Sequence, residues 1–97
     1  MTAKFNMRDN ILYVVLSGEL DHHSIRSIRD ETDIEILKYS PTDLVIDFKN
    51  ITFMDSSGIG YIMGRSKLIS NITIINTNPS IKRVMVLSGI NRIATVK

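Results

Sequence analysis

Apolar residues recur along this chain first at every second position, then at helical spacing, then in short unbroken runs. Lys4 to Arg8 alternates and stops at Asp9-Asn10. Both of those residues tolerate left-handed backbone angles, which predicts a tight hairpin turn. Ile11 to Leu16 is the returning strand, its β-branched and aromatic content favouring strand over helix, and Ser17-Gly18 ends or bends it. From about Ser24 to Leu37, Ile25, Ile28, Thr32 and Ile36 follow helical spacing, with Arg26, Arg29, Asp30 and Asp33 outside. Asp21 and Ser24 are the candidate N-caps, and Pro41 closes the segment. Leu44 to Phe48, interrupted by Asp47, has the pattern of a central strand.

After a turn at Asn50, Ile51 to Met54 leads into Asp55-Ser56-Ser57-Gly58 and a helix whose inner face is Ile59, Ile62, Met63, Ser66 and Ile69. Ile72 to Ile75 is a further β-branched strand. Asn78-Pro79 starts another helix, with Ile81, Val84, Met85 and Ser88 as its buried stripe and Gly89 just past its end. Ile93 to Val96 forms a last short strand. The order β-β-α-β-α-β-α-β predicts an α/β fold: a mixed sheet of four to five strands, an N-terminal β-hairpin, and helices packed on it.

The 97 residues suit one domain with one core. The absence of cysteine excludes disulfide frameworks and thiol catalysis. No apolar run exceeds the six residues Ile11 to Leu16, far short of a membrane span, so the expected compartment is the cytoplasm. Charge is divided unevenly. Residues 1–55 carry six bases against ten acids, net −4, and residues 56–97 carry six bases and no acid, net +6. Those six are spread over forty residues, and no aromatic follows Tyr61 to stack a base, so we read a solvated basic face and no nucleic-acid site.

Two clusters carry possible chemistry. Phe53 to Gly60 is a strand end, a turn and a helix start, where free N–H groups and the helix dipole favour an anion. Taken by itself, Ser56-Ser57 there is ordinary N-cap material. The turn lacks the Gly-x-Ser-x-Gly of a hydrolase elbow, the Gly-Lys of a Walker loop and the third glycine of a dinucleotide fingerprint. Gly60 and Gly64 lie on one helical face, which points to a close approach by the sheet beneath or a partner above, and of the two we favour packing on the sheet. The second cluster is Gly18-Glu19-Leu20-Asp21-His22-His23. Adjacent histidines at a helix start point apart, so no metal site and no cofactor is expected. A Ser–His–acid relay would need Ser56 or Ser57 to meet His22 or His23 across the fold.

Taken in order with Gly64-Arg65-x-Lys67, Pro79-x-x-Lys82-Arg83 and Ser88-Gly89, these clusters resemble the anti-sigma-factor antagonists, stand-alone domains of the sulfate-transporter and anti-sigma-antagonist (STAS) type. The similarity is strongest to the sporulation branch acting on sigma-F, and runs from about Phe5 to Val96. It implies a regulatory binding protein, not an enzyme. Such an antagonist binds an anti-sigma factor that is also a serine kinase, freeing the sigma factor. The kinase phosphorylates the serine after the aspartate, here Ser56, which releases the complex, and a phosphatase resets it. The resemblance places partner contacts at Asp21, His22, His23, Asp55, Ser57, Gly58, Ile59 and Gly60. Two departures stand out: the Ser70-Asn71 link is about four residues shorter than the family's, and the chain stops at Lys97 where relatives continue into a last helix. A scaffold or nucleotide-sensing module of the same domain type is the alternative, and a small serine-dependent enzyme a third reading.

Overall fold

The computed structural model describes residues 1–97. The chain folds as β1 (Thr2–Arg8), β2 (Ile11–Leu20), α1 (Ile25–Tyr39), β3 (Asp43–Met54), α2 (Ser56–Ser66), β4 (Asn71–Ile75), α3 (Pro79–Leu87), a 3-10 turn (Ile90–Arg92) and β5 (Thr95–Val96). The five strands lie in sequence order in one sheet. β1 pairs antiparallel with β2, and every later pairing is parallel. This is the expected mixed sheet. The hairpin turn is made as the residues predict, with Asp9 at φ 52° and Asn10 at φ 65°. The Asn10 carbonyl also accepts from the Thr42 and Asp43 N–H groups at 2.9 and 3.3 Å, pinning the start of β3 beside the hairpin.

Alternate strand residues point to one side. Leu12, Val14 and Leu16 of β2, Leu44, Ile46 and Phe48 of β3, and Ile72 and Ile74 of β4 are buried in a single cluster with residues of all three helices. The intervening Tyr13, Val15, Val45 and Thr73 remain half-buried on the opposite face. The helices therefore cover one side of the sheet. No helix is long and apolar enough to cross a membrane.

Several boundaries differ from the reading of the sequence. β2 does not end at Leu16. It continues to Leu20 through register shifts around Ser17 and Gly18, with Gly18 at φ 112°, a conformation that suits glycine. Nor is there a turn at Asn50: Asn50 pairs with Ser17, and β3 is one strand from Asp43 to Met54. Asp47 makes the irregularity tolerable, its Oδ1 accepting from Lys49 N–H at 2.9 Å and from Asn76 Nδ2 at 3.0 Å. On α3, Ile81 and Met85 are buried as expected, while Val84 and Ser88 are exposed. Ile69 is buried but lies beyond the end of α2.

The buried face of α2 is Gly58, Tyr61, Ile62 and Arg65, rotated from the expected one, and Met63 is exposed. Gly60 and Gly64 have open space where a Cβ would stand, so close packing does not explain them. What turns the helix is its polar contact with α1. Tyr61 Oη lies 2.9 Å from Thr32 Oγ1, which itself donates to the Ile28 carbonyl at 2.7 Å. Arg65, 5% exposed, meets Asp33: Nε lies 2.8 Å from Oδ1 without hydrogen-bond alignment, and Nη2 donates to Oδ2 at 3.3 Å. Asp33 was expected on the outer face of α1. It is 30% exposed because it partners this arginine.

Burial raises the Tyr61 phenol to about 12 from the ordinary 10.0. The unfolded chain thus gives up that proton first, and the stability present below pH 10 declines as pH climbs from 10 to about 12. Tyr61→Phe should cost about 1 kcal/mol at neutral pH through the lost hydrogen bond and flatten this alkaline decline. Urea midpoints of both proteins across the alkaline range check it; equal declines would assign the effect to another group. Asp33→Ala should cost about 2 kcal/mol, between the figures for exposed and buried ion pairs, by stranding the Arg65 guanidinium. Thermal denaturation measures that loss.

Candidate functional site

β3 ends at Met54 and α2 begins at Ser56, so Asp55 alone joins them. Its extended backbone makes it the N-cap, with Oδ1 accepting from Ser57 N–H at 2.8 Å and its carbonyl accepting from Gly58 N–H at 3.0 Å. The cap is the aspartate and not the serine pair. Ser56 is consequently the first helical residue, exposed, with a hydroxyl engaged in no hydrogen bond. Ser57 is half-buried behind it.

The second cluster arrives at the same place because the extended β2 and β3 run parallel to their ends. Leu20 pairs with Met54, and Asp55 N–H donates to the Leu20 carbonyl at 3.2 Å. Asp21 follows directly. Its Oδ1 accepts from the N–H groups of His23 and Ser24 at 3.0 and 3.1 Å, and Ser24 Oγ accepts in return from Asp21 N–H at 3.2 Å. This is the reciprocal arrangement of a capping box. The Ser24 N–H, with that of His23, holds the Asp21 carboxyl below the ordinary carboxylate value. Asp21 therefore shapes the entry to α1 through one oxygen, and its Oδ2 has no partner within the chain. His22 Nδ1 lies 3.8 Å from Asp55 Oδ2, and the exposed rings of His22 and His23 are 3.9 Å apart, so the two side chains do not point apart as expected.

Asp21, His22, His23, Asp55 and Ser56 thus form one polar surface at the C-terminal ends of β2 and β3. Gly60 is exposed on the next turn, and Ile59 is partly buried against the core. Gly58 does not belong to the surface. It is buried, and a Cβ there would overlap Met54 Cγ and stand 3.0 Å from Leu20 Cδ2. It is a packing residue that lets α2 settle on the two strand ends. Neither serine hydroxyl is hydrogen-bonded to an imidazole, so the nucleophile–base contact of a relay is not made. Phe53, which opens the motif segment but was not among the expected contact residues, is 50% exposed two residues before Asp55. Its only signal in the sequence is its place as a large apolar residue against the turn.

An exposed serine behind an aspartate cap, flanked by an acidic and histidine-bearing turn, sits on a fold shared with known proteins. A family model described as the STAS domain matches residues 3–97. An anti-sigma F factor antagonist from Paenibacillus polymyxa is 39% identical over 90 residues, covering 89% of this chain and 77% of that protein. One from Lysinibacillus sphaericus is 32% identical over 79 residues, covering 77% and 68%. Among solved structures, the anti-sigma factor antagonist SpoIIAA in its unphosphorylated form aligns with a TM-score of 0.81 at 26% identity, covering 99% of this chain and 88% of that one. The phosphorylated form of Bacillus SpoIIAA aligns with a TM-score of 0.73 at the same identity, covering 99% and 91%. Sequence and fold agree, and the chain belongs to the STAS domain family.

Proposed function

We propose that this chain is an anti-sigma-factor antagonist: unphosphorylated, it binds an anti-sigma factor with serine-kinase activity and so frees a sigma factor. Phosphorylation of Ser56 ends the complex, and a serine phosphatase restores it. The names of the relatives support antagonism of an anti-sigma factor. The observation that carries the second is the position of Ser56, whose hydroxyl is exposed and unengaged at the first turn of α2 while the neighbouring Asp55 does the capping. A kinase can reach it without disturbing a structural hydrogen bond. The protein acts here as a binding module and kinase substrate, and no catalytic step is assigned to it.

The physical effect of the phosphate differs between the free protein and the complex. It adds roughly −1.5 to −2 charges at neutral pH. Within the fold it stands at a helix N-terminus, where an anion gains about 0.3–1 kcal/mol. Against a partner it stands beside Asp55 and the free oxygen of Asp21, in a surface that binding would desolvate. An unpaired anion buried in an interface costs about 2–5 kcal/mol, a thirty- to several-thousand-fold loss of affinity. One group can abolish binding and leave the backbone in place. That both forms of SpoIIAA align with this chain is consistent with a switch of this kind.

Ser56→Ala should bind the kinase and resist phosphorylation, and phosphopeptide mapping should place the label on Ser56 and not Ser57. Label on Ser57 alone would overturn the assignment. Ser56→Asp should weaken binding in part, since one carboxylate has less charge and bulk than a phosphate. Amide shifts of the phosphorylated protein should change around Asp21 to Ser24 and Asp55 to Gly60. Large changes spreading to β4 and α3 would mean that the switch is a rearrangement. Asp21→Ala should lower both the melting temperature and the affinity for the kinase, because one carboxylate oxygen caps and the other is free. Unchanged affinity would reduce Asp21 to the cap.

A further inference from the structure

From β2 to β5 each parallel crossover steps one strand in the same direction, and a shared right hand puts every helix on one side of the sheet. The other side has no layer of its own. Parallel pairings are ordinarily covered on both faces, and three of the four pairings here are parallel. Ile11, Tyr13, Val15, Val45 and Ile75 point to this bare side, each half-buried and none belonging to the core cluster.

Strand register sets the face out in rows. Arg8, Ile11 and Asp43 stand side by side across β1, β2 and β3, and one row is formed likewise by Lys4, Val15 and Asp47, with Tyr13 and Val45 between the two. An apolar β2 is thus flanked by bases on β1 and acids on β3. The Arg8 guanidinium lies 5.3 Å from the Tyr13 ring centroid, which holds it over the face. Neither Arg8 nor Asp43 has an ion-pair partner in the chain, whereas Asp47 already meets Lys49 Nζ at 3.6 Å. A second copy turned about a two-fold axis along β2 supplies both missing partners, because it lays β1 of each copy over β3 of the other and keeps every row in place. An axis across the strands would instead set Arg8 over Lys4 and Asp43 over Asp47, like charge on like.

We infer that the bare sheet face is a self-association surface, on which a second copy of this chain packs sheet to sheet about β2 with Arg8 of each copy paired to Asp43 of the other. Three strands about 4.8 Å apart and about 20 Å long present roughly 300 Å² of flat projection per copy, which places the contact among weak, transient interfaces of less than about 1,200 Å² in total. Apolar β2 side chains supply the attraction, and the charges fix orientation and exclude the crossed arrangement. The inference does not depend on the antagonist reading. Ser56 and the Asp21 turn lie at the strand ends, clear of this face, and an axis parallel to the strands carries both copies of that polar surface at the same end of the dimer.

Sedimentation velocity at protein concentrations up to about 1 mM reads the association, and wild type should dimerise within that range. Four variants accompany it: Arg8→Asp, Asp43→Arg, the double variant carrying both changes, and Lys82→Glu on α3, an exposed control that alters net charge as Arg8→Asp does. Each single swap sets like charges together at both pairs and should raise the dissociation constant about tenfold or more. The double swap restores opposite charges and should return to within about threefold of wild type, while Lys82→Glu should stay within about twofold. Melting temperatures equal to that of wild type will show that the fold survives each change. A wild type that stays monomeric overturns the inference. So does undiminished association of either single variant, or a double variant that associates no more tightly than the singles. If wild type is monomeric and Val45→Lys loses affinity for purified anti-sigma factor, the face belongs to that partner instead of a second copy.

Discussion

Leu20 and Met54 end two parallel strands side by side, and the surface at the top of the sheet follows from that pairing. Had β2 stopped at Leu16, the Asp21 turn would hang below the serine turn. Gly18, at a backbone angle suited to glycine, lets the strand bend through its irregularity and continue. Gly58 completes the arrangement from the other side, since a side chain there would displace the Met54 side chain and crowd Leu20. Two glycines far apart in the chain thereby serve the same pair of strand ends.

The same helix is fixed at its other end by a different kind of contact. Tyr61 and Arg65 reach α1 through Thr32 and Asp33, so α2 is held by apolar packing near its start and by polar pairing near its finish. A buried guanidinium with two nitrogens that make no hydrogen bond is a poor source of net stability but a strong orienting device, because its charge tolerates few alternative positions. α1 and α2 both rise from the polar surface, and their mutual orientation sets where its two halves stand.

Much of this was legible in the residues. The hairpin at Asp9-Asn10, the Asn78 cap and the strand–helix alternation are local matters, decided by backbone preference and spacing, and they read correctly. The family resemblance is borne out by the comparisons, while the meeting of the two motif clusters was left open by the residues and is decided by the pairing of the strand ends. What did not read were features decided by partners distant in sequence. Asn50 looks like a turn until Ser17 pairs with it. Tyr61 and Arg65 look like outer positions until Thr32 and Asp33 face them, although Gly58, Tyr61, Ile62 and Arg65 have helical spacing as good as that of the apolar row.

The serine surface is held together by caps: one oxygen of Asp21 and one of Asp55 grip backbone N–H groups that any sequence would supply. None of the eighteen core residues takes part in those bonds. Away from Leu20, Met54 and Gly58, site and core are therefore separately heritable. The interior can drift through substitutions that preserve its volume, and a duplicated copy can acquire a new partner by changing a handful of surface letters, without either change undoing the other. A regulatory domain built this way can multiply within a genome into parallel, insulated circuits from a single ancestral scaffold.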